Sequence, residues 1–231
     1  MENVFKDEVQ TKQRKKIFEY ESRLRHNIIR IPNESRACSG IMVFGRRMKT
    51  FVFSTDIAII RNCDADAVFA VYPFTPQCSI SESIIKTAFT PVFCGVGGGT
   101  TNGHRTVSLA KDVEAQGAVG VVLNAPISNE DVRAVADAVD IPVVITVVND
   151  RTDIQARLDA GATLLNVAAA EGTPELVKKI RHDFPDVPII ATGGPVAESI
   201  QRTIEAGANA ITYTPPSAKQ LFSALMNKYR E

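Results

Sequence analysis

Residues 187–213 read VPIIATGGPVAESIQRTIEAGANAITY and contain the pattern that decides the fold. A proline precedes an apolar run, a glycine pair follows it, a helical stretch ends near Gly207, and a second apolar run begins at Ala210. Proline is tolerated at the first residue of a strand. Glycine is favoured where a helix must end in a left-handed residue. The stretch therefore predicts two buried strands joined by a helix.

The same signals recur towards the amino terminus. Pro91 and Pro142 each precede an apolar run, and Gly117 and Gly161 lie in small-residue turns like the one at Gly207. Eight apolar runs alternate with helical stretches, at 51–54, 67–72, 92–96, 119–123, 143–147, 164–167, 189–191 and 210–213. Several are apolar at consecutive positions, as expected for strands with both faces buried.

Strands and helices in alternation indicate an α/β protein with a parallel sheet. An open doubly wound sheet can be built from the same units, but eight units with no sign of a reversal in strand order favour a closed barrel. We predict a (β/α)8 TIM barrel in residues 37–231, after an N-terminal helical extension in residues 1–36. Residues 41–44 are either a further strand or an extended lead-in.

The extension differs in composition from the barrel. It is highly charged, and its apolar residues recur at roughly helical spacing, which predicts one or two amphipathic helices. Such a helix would cover the barrel floor or an oligomer interface, so a homo-oligomer is one possibility. The basic residues at 12–16 are better explained as a solvated helix face than as a nucleic-acid surface.

The overall composition limits the classes of function. Apolar residues make up 45% and charged residues 23%, and 26 basic residues balance 26 acidic ones. A net charge of zero gives no general attraction to nucleic acid or to an anionic membrane. The four cysteines form no C-x-x-C pair and only three histidines are present. We therefore expect a cytoplasmic protein with no metal, no cofactor, no nucleic-acid partner and no membrane partner.

The strongest candidate binding site follows the seventh run. Gly193 and Gly194 leave backbone N–H groups unobstructed, and such amides bind phosphate readily. The eighth run leads into Thr214 and then Ser217, which is a natural helix start. Loops after the seventh and eighth strands form the common phosphate site of TIM barrels. In the alternative reading, the glycines only permit a tight turn and Ser217 only caps a helix.

Residues 186–216 resemble the end of ribulose-phosphate-binding barrels, on the motifs VPIIATGG and EAGANAIT. Keto-deoxy-phosphogluconate aldolase, thiamine-phosphate synthase and the glycerol-3-phosphate-responsive antiterminator end similarly. The whole chain also resembles uncharacterised bacterial barrel proteins labelled "hydrolase". The resemblance implies the fold and a phosphate site at Gly193, Gly194 and Ser217. The chain departs from the family in having Thr-Pro-Pro-Ser after the eighth run.

A glycine-rich loop at 95–106 is a second candidate. It lacks the P-loop lysine, which argues against nucleotide hydrolysis. A mobile lid is a reasonable interpretation. His104 within it is an acid–base candidate, although a solvent-exposed histidine is an equal alternative.

Other polar residues follow the predicted strands. Asp56 and Glu171 are further acid–base candidates, although Asp56 could equally cap a helix. Asn124 and Asn166 hold matching places in the repeat and could position a polar ligand. None of these strand-end residues is a lysine, which argues against a Schiff-base aldolase. Cys94 is better explained as a buried thiol than as a nucleophile.

Two functions remain open from these residues. The first is a metal-independent acid–base enzyme of lyase, isomerase or hydrolase type, acting on a small phosphorylated metabolite through His104, Asp56 and Glu171. The second is a non-catalytic phosphometabolite sensor whose extension contacts a partner. The fold cannot decide between them, because barrels serve many functions.

Overall fold

The structure is a computed structural model that describes residues 18, 20, 22–23 and 27–230. The amphipathic helix predicted for the extension lies almost entirely outside these residues and stays a prediction. Within the lead-in, Ile29 pairs with Cys63 in an isolated parallel bridge, and Asn33–Ala37 forms a 3-10 helix. An antiparallel hairpin follows, made of β1 (Ile41–Val43) and β2 (Arg46–Met48). Of the two alternatives for residues 41–44, the structure has the further strand, as β1.

Eight more strands follow the hairpin: β3 (Thr50–Phe53), β4 (Ala67–Ala70), β5 (Val92–Gly97), β6 (Gly120–Leu123), β7 (Val143–Val147), β8 (Leu164–Val167), β9 (Ile189–Thr192) and β10 (Ala210–Tyr213). They close into a parallel barrel in the order β10–β3–β4–β5–β6–β7–β8–β9. Each corresponds to one of the eight apolar runs, so the predicted TIM barrel is confirmed.

Each barrel strand is followed by a helix: α1 (Ile57–Arg61), α2 (Cys78–Thr87), α3 (Gly103–Ala115), α4 (Asn129–Ala136), α5 (Ile154–Asp159), α6 (Thr173–Asp183), α7 (Ala197–Glu205) and α8 (Ala218–Lys228). The predicted left-handed turns are confirmed, because Gly117, Gly161 and Gly207 have φ angles of 101°, 103° and 111°. In the described chain, no helix is long and apolar enough to span a bilayer.

The strands bury both faces, which explains their uninterrupted apolar runs. One buried cluster lies between strands and helices. A second cluster takes residues from all eight barrel strands and therefore fills the barrel interior. Its centre is formed by Phe51, Phe69 and Phe93, whose ring centroids lie 4.9–5.7 Å apart. Membership of the interior cluster identifies which side chains of each strand point inward.

The hairpin closes the floor of the barrel. Ile41, Val43 and Met48 are buried and belong to the interior cluster. The sequence predicted the extension as one possible cover for the floor, but in the described residues the hairpin performs this role. At the opposite end the loops that follow the strands surround an open mouth, where TIM barrels place their active sites.

Candidate functional site

The mouth is lined by the inward-facing residue at the carboxyl end of each strand. Because alternate residues of a strand share a face, these positions follow from the interior cluster. They are Phe53, Val71, Gly95, Asn124, Thr146, Asn166, Thr192 and Thr212. The side from β3 to β5 is apolar, whereas the side from β6 to β10 is polar. The mouth therefore has two chemically different halves.

Four side chains on consecutive strands form what we call the polar arc: Thr146, Asn166, Thr192 and Thr212. Thr146 pairs in register with Asn166, and Thr192 with Thr212. The Asn166 Nδ2 donates to Thr146 Oγ1 at 3.3 Å. Of these residues, sequence reasoning had selected only Asn166 for a role in the site. The arc can both donate and accept hydrogen bonds, but it carries no charge.

Two oxygens of the polar arc have no protein partner. Asn166 Oδ1 and Thr212 Oγ1 are buried and make no hydrogen bond within the described residues. Thr212 as a whole is only 6% exposed. An unsatisfied buried polar group costs about 1–3 kcal/mol. These two oxygens are therefore available to a water molecule or to a ligand in the mouth.

Beside the arc lies a cavity of about 700 Å³, which we call the glycine cavity. It is lined by Thr192, the Gly193–Gly194 turn, the 3-10 helix at Ala170–Gly172 and the first turns of α6 and α7. Thr192 belongs to both the arc and the cavity, so the two features adjoin at this residue.

The two glycines of the turn differ in their roles. The Gly193 N–H faces the Thr212 carbonyl at a long 3.5 Å, and a Cβ here would lie 2.8 Å from Ile211 Cγ2. Packing therefore helps to explain why residue 193 is glycine, since a larger side chain would collide with Ile211. Gly194 has φ +79°, and its N–H has no hydrogen-bond partner in the described chain. Only the second amide is free to bind an anion.

Two further features of the glycine cavity favour an anion, against the two carboxylates, Glu171 and Glu175, that also line it. Val196, the residue that precedes helix α7, provides no side-chain capping hydrogen bond, so the first amides of the helix lack that partner. Arg202 also lines the cavity, where it pairs with Glu175 at 3.1 Å. Sequence reasoning missed Arg202, because nothing in a helical stretch marks which face meets a cavity.

The other two predicted phosphate residues lie apart from the cavity lining. Ser217 forms a capping box with Gln220, in which its hydroxyl accepts from the Gln220 N–H at 3.3 Å. Thr214 is exposed in the preceding loop. Neither lines the glycine cavity. The alternative reading, in which Ser217 caps a helix, accounts for its contacts.

The three acid–base candidates are not brought together. Glu171 is exposed and lines the glycine cavity. Asp56 caps α1, where its Oδ1 accepts from the N–H groups of Ala58 and Ile59. His104 is exposed on α3, with its Nδ1 3.2 Å from Ser108 Oγ. Glu171 alone of the three shares a cavity with Gly193 and Gly194.

Asn124 lies on the other side of the mouth. It lines a cavity of about 360 Å³ together with Tyr72, Phe74 and the glycine-rich segment. That segment is shorter than predicted, since β5 extends to Gly97 and α3 begins at Gly103. Only a five-residue turn remains between them, which does not support a long lid. Asn124 and Asn166, predicted to hold matching places in the repeat, lie on the same inner face, but Asn166 does not line the cavity that contains Asn124.

The strand segments of the barrel carry no Lys, Arg, His, Asp or Glu. A Schiff base therefore cannot form at a lysine within these strands. Cys94 is fully buried and faces outward into the layer between strands and helices. Burial raises the pKa of its thiol to about 12, which agrees with the buried-thiol interpretation.

A third cavity, of about 430 Å³, lies between α4 and α5 and contains two arginines. The Arg157 guanidinium is already occupied, because it donates to the carbonyls of Ile127 and Ala125 at 2.7 and 3.2 Å. It fastens the loop between β6 and α4. Arg151 at the same cavity provides a useful reference cation for experiments.

Comparison with characterised sequences gives distant relatives. No protein-family model matches the chain. The curated 4-hydroxy-tetrahydrodipicolinate synthase of Chlorobium chlorochromatii (strain CaD3) is 26% identical over 149 residues, which cover 61% of this chain and 49% of that protein. The chain spans about half the length of the curated relatives it matches.

Comparison with solved structures gives other barrels. A phosphonopyruvate hydrolase crystallised with oxalate and Mg²⁺ has a TM-score of 0.61 at 14% identity, covering 80% of this chain and 81% of that one. A 2,3-dimethylmalate lyase of the PEP mutase/isocitrate lyase superfamily has a TM-score of 0.59 at 16% identity, covering 78% and 79%. At this identity the likeness shows the fold.

Proposed function

We propose that the protein binds a small phosphorylated metabolite at the barrel mouth and acts on it as an enzyme of lyase or isomerase type. The observation that carries the proposal is that Thr192 belongs to both the polar arc and the lining of the glycine cavity. The free Gly194 amide, the start of α7 and Arg202 would hold the phosphate. The arc would hold the rest of the molecule over the barrel axis.

Glu171 is the acid–base residue that we favour, because it lines the same cavity as Gly194. Proton transfer requires a group within hydrogen-bond reach of the reacting atom. Asp56 and His104 stay secondary predictions. The names of two relatives support a lyase, since one is a 4-hydroxy-tetrahydrodipicolinate synthase and the other a 2,3-dimethylmalate lyase. Phosphate binding would anchor the substrate and orient its reacting end.

Phosphate binding can be tested by calorimetric titration of inorganic phosphate. Arg202→Gln should weaken the affinity several-fold, because it removes the cation that lines the glycine cavity. Arg151→Gln, at the neighbouring cavity, is the matched control and should leave the affinity unchanged. Equal losses in both variants would indicate general charge screening and would contradict the proposed site.

Catalysis is tested by turnover of the ligands that bind. Glu171→Gln should reduce kcat by about 10²–10⁴-fold, as expected for the loss of a general acid or base. Ligand affinity should survive, since the charge change does not remove the phosphate contacts. Full turnover by the Gln variant would exclude Glu171 as the acid–base group.

A sensor is the second candidate, and a specific observation favours it. The inner wall is uncharged, and two of the three acid–base candidates lie away from the glycine cavity. A sensor needs only binding. Tight binding without turnover of any ligand, together with loss of a partner contact on removal of residues 1–36, would select this function.

A further inference from the structure

We propose that the polar arc selects a neutral, hydroxyl-bearing chain and disfavours a carboxylate at the unphosphorylated end of the ligand. The inference rests on the proposed function, because it assumes that the phosphate occupies the glycine cavity. The specificity residues are Asn166 and Thr212.

The first argument is the character of the two unpartnered oxygens. Asn166 Oδ1 can only accept a hydrogen bond, and one of the two N–H groups of the same amide donates to Thr146 Oγ1. A hydroxyl group of the ligand supplies the missing donor. A carboxylate has only acceptor lone pairs at neutral pH, so it would oppose the Asn166 oxygen without satisfying it.

The absence of positive charge from the strands also disfavours a carboxylate. The strand segments that form the wall contain no cationic side chain. Moving a carboxylate against a buried wall without a positive partner costs far more than moving a hydroxyl that becomes hydrogen-bonded. Arg202 lies at the glycine cavity, where it would already pair with the phosphate. The arc therefore penalises a second anionic group.

The distance between the two unpartnered oxygens favours a ligand with more than one hydroxyl group. Asn166 lies on β8 and Thr212 on β10, with β9 between them. Two strand intervals correspond to about 10 Å along the sheet. A single ligand atom is therefore not expected to satisfy both oxygens. A ligand that satisfies both would present at least two hydroxyl groups on a short carbon chain.

The experiment compares two ligands that differ at one carbon. sn-Glycerol 1-phosphate ends in CH₂OH, and D-3-phosphoglycerate, which has the same configuration at its central carbon, ends in a carboxylate at the same position. Calorimetric titrations at pH 7.5 use both ligands, with inorganic phosphate as the anchor alone. We expect the hydroxyl ligand to bind at least about tenfold more tightly, since sites built to hydrogen-bond a group discriminate strongly.

The variant Thr212→Val removes the unpartnered hydroxyl while keeping the shape. It should reduce the preference several-fold and leave the affinity for inorganic phosphate within about twofold. Thr100→Val, at an exposed hydroxyl on the opposite cavity, is the control and should keep the preference.

Three outcomes would overturn the inference. If inorganic phosphate binds and the two ligands bind equally, or the carboxylate ligand binds more tightly, the arc does not select hydroxyls, although the proposed function survives. If the preference exists but Thr212→Val keeps it unchanged, the selection lies elsewhere. If inorganic phosphate and both ligands fail to bind, the proposed function fails and takes the inference with it.

Discussion

The two halves of the barrel interior differ in what they bury: one buries packed aromatic rings, and the other buries polar atoms. On one side, Phe51, Phe69 and Phe93 stack against each other and are fully packed. On the other side, Asn166 and Thr212 bury polar atoms that no described protein group satisfies. The first half stabilises the fold. The second half costs stability, which is typical of a surface shaped for a ligand.

The aromatic half should tolerate substitution least. Phe93→Ala should destabilise the fold by about 3–5 kcal/mol, because it removes a large buried side chain and leaves a cavity. Denaturant unfolding measures the change. Phe93→Leu is the matched variant and should cost clearly less. If both Phe93 substitutions reduce the free energy of unfolding by less than Gly193→Ala does, the aromatic cluster does not dominate the core.

The second-largest loss of stability is expected for a substitution in the Gly193–Gly194 turn. Gly193→Ala would place a Cβ 2.8 Å from Ile211 Cγ2 and 2.9 Å from Ile200 Cγ1. Overpacking of this kind costs about 1–3 kcal/mol. Gly172→Ala at the same cavity is the control, since nothing lies within 4 Å of its added Cβ. Equal stabilities for the two variants would show that Gly193 is not set by packing.

The polar half should respond in the opposite direction. Thr212→Val should stabilise the protein by about 1 kcal/mol, because it removes an unsatisfied buried hydroxyl. Thr50→Val is the matched control in the same barrel and should destabilise it, since Thr50 Oγ1 bonds Asp66 Oδ2 at 3.0 Å. A destabilised Thr212→Val protein would mean that the hydroxyl is satisfied and that the contrast between the halves is false.

The smallest effect concerns Cys94 on the outer face of the aromatic half. Burial raises the pKa of its thiol from 9.0 to about 12, so its contribution to stability is complete below pH 9 and is lost as the pH rises towards 12. Between pH 7 and pH 9.5 the loss should be no more than about 1 kcal/mol. Urea unfolding at the two pH values measures it, and Cys94→Ala should remove this part of the pH dependence. If the free energy of unfolding of Cys94→Ala depends on pH as it does in the unsubstituted protein, a group other than Cys94 causes the loss.

Much of the fold could be predicted from local signals. The runs at 143–147, 164–167 and 210–213 coincide with β7, β8 and β10, because buried parallel strands are apolar without interruption. The turn at Gly207 followed from backbone chemistry alone. The hairpin was less clear, since Phe44 and Gly45 form its two-residue turn with φ angles of 45° and 76°, and phenylalanine is an unusual residue for such a turn.

Much of the site could not be predicted. Thr192 and Thr212 are distinguished only by the face on which they lie, and a strand that is apolar on both faces gives no signal of which face is inward. The glycine-rich loop misled for a similar reason. Gly97 and Gly98 are glycine because a Cβ would meet Thr106 and Asn124 at 2.5 and 2.6 Å, which is a packing constraint invisible in the sequence.

The most direct test of the account is the amide resonance of Gly194 during a titration with inorganic phosphate, followed in ¹⁵N-glycine-labelled protein at constant ionic strength. The account predicts that this resonance shifts and saturates, while Gly45 in the hairpin at the opposite end of the barrel stays fixed. A Gly194 resonance that does not move, or that moves only in parallel with Gly45, would contradict it.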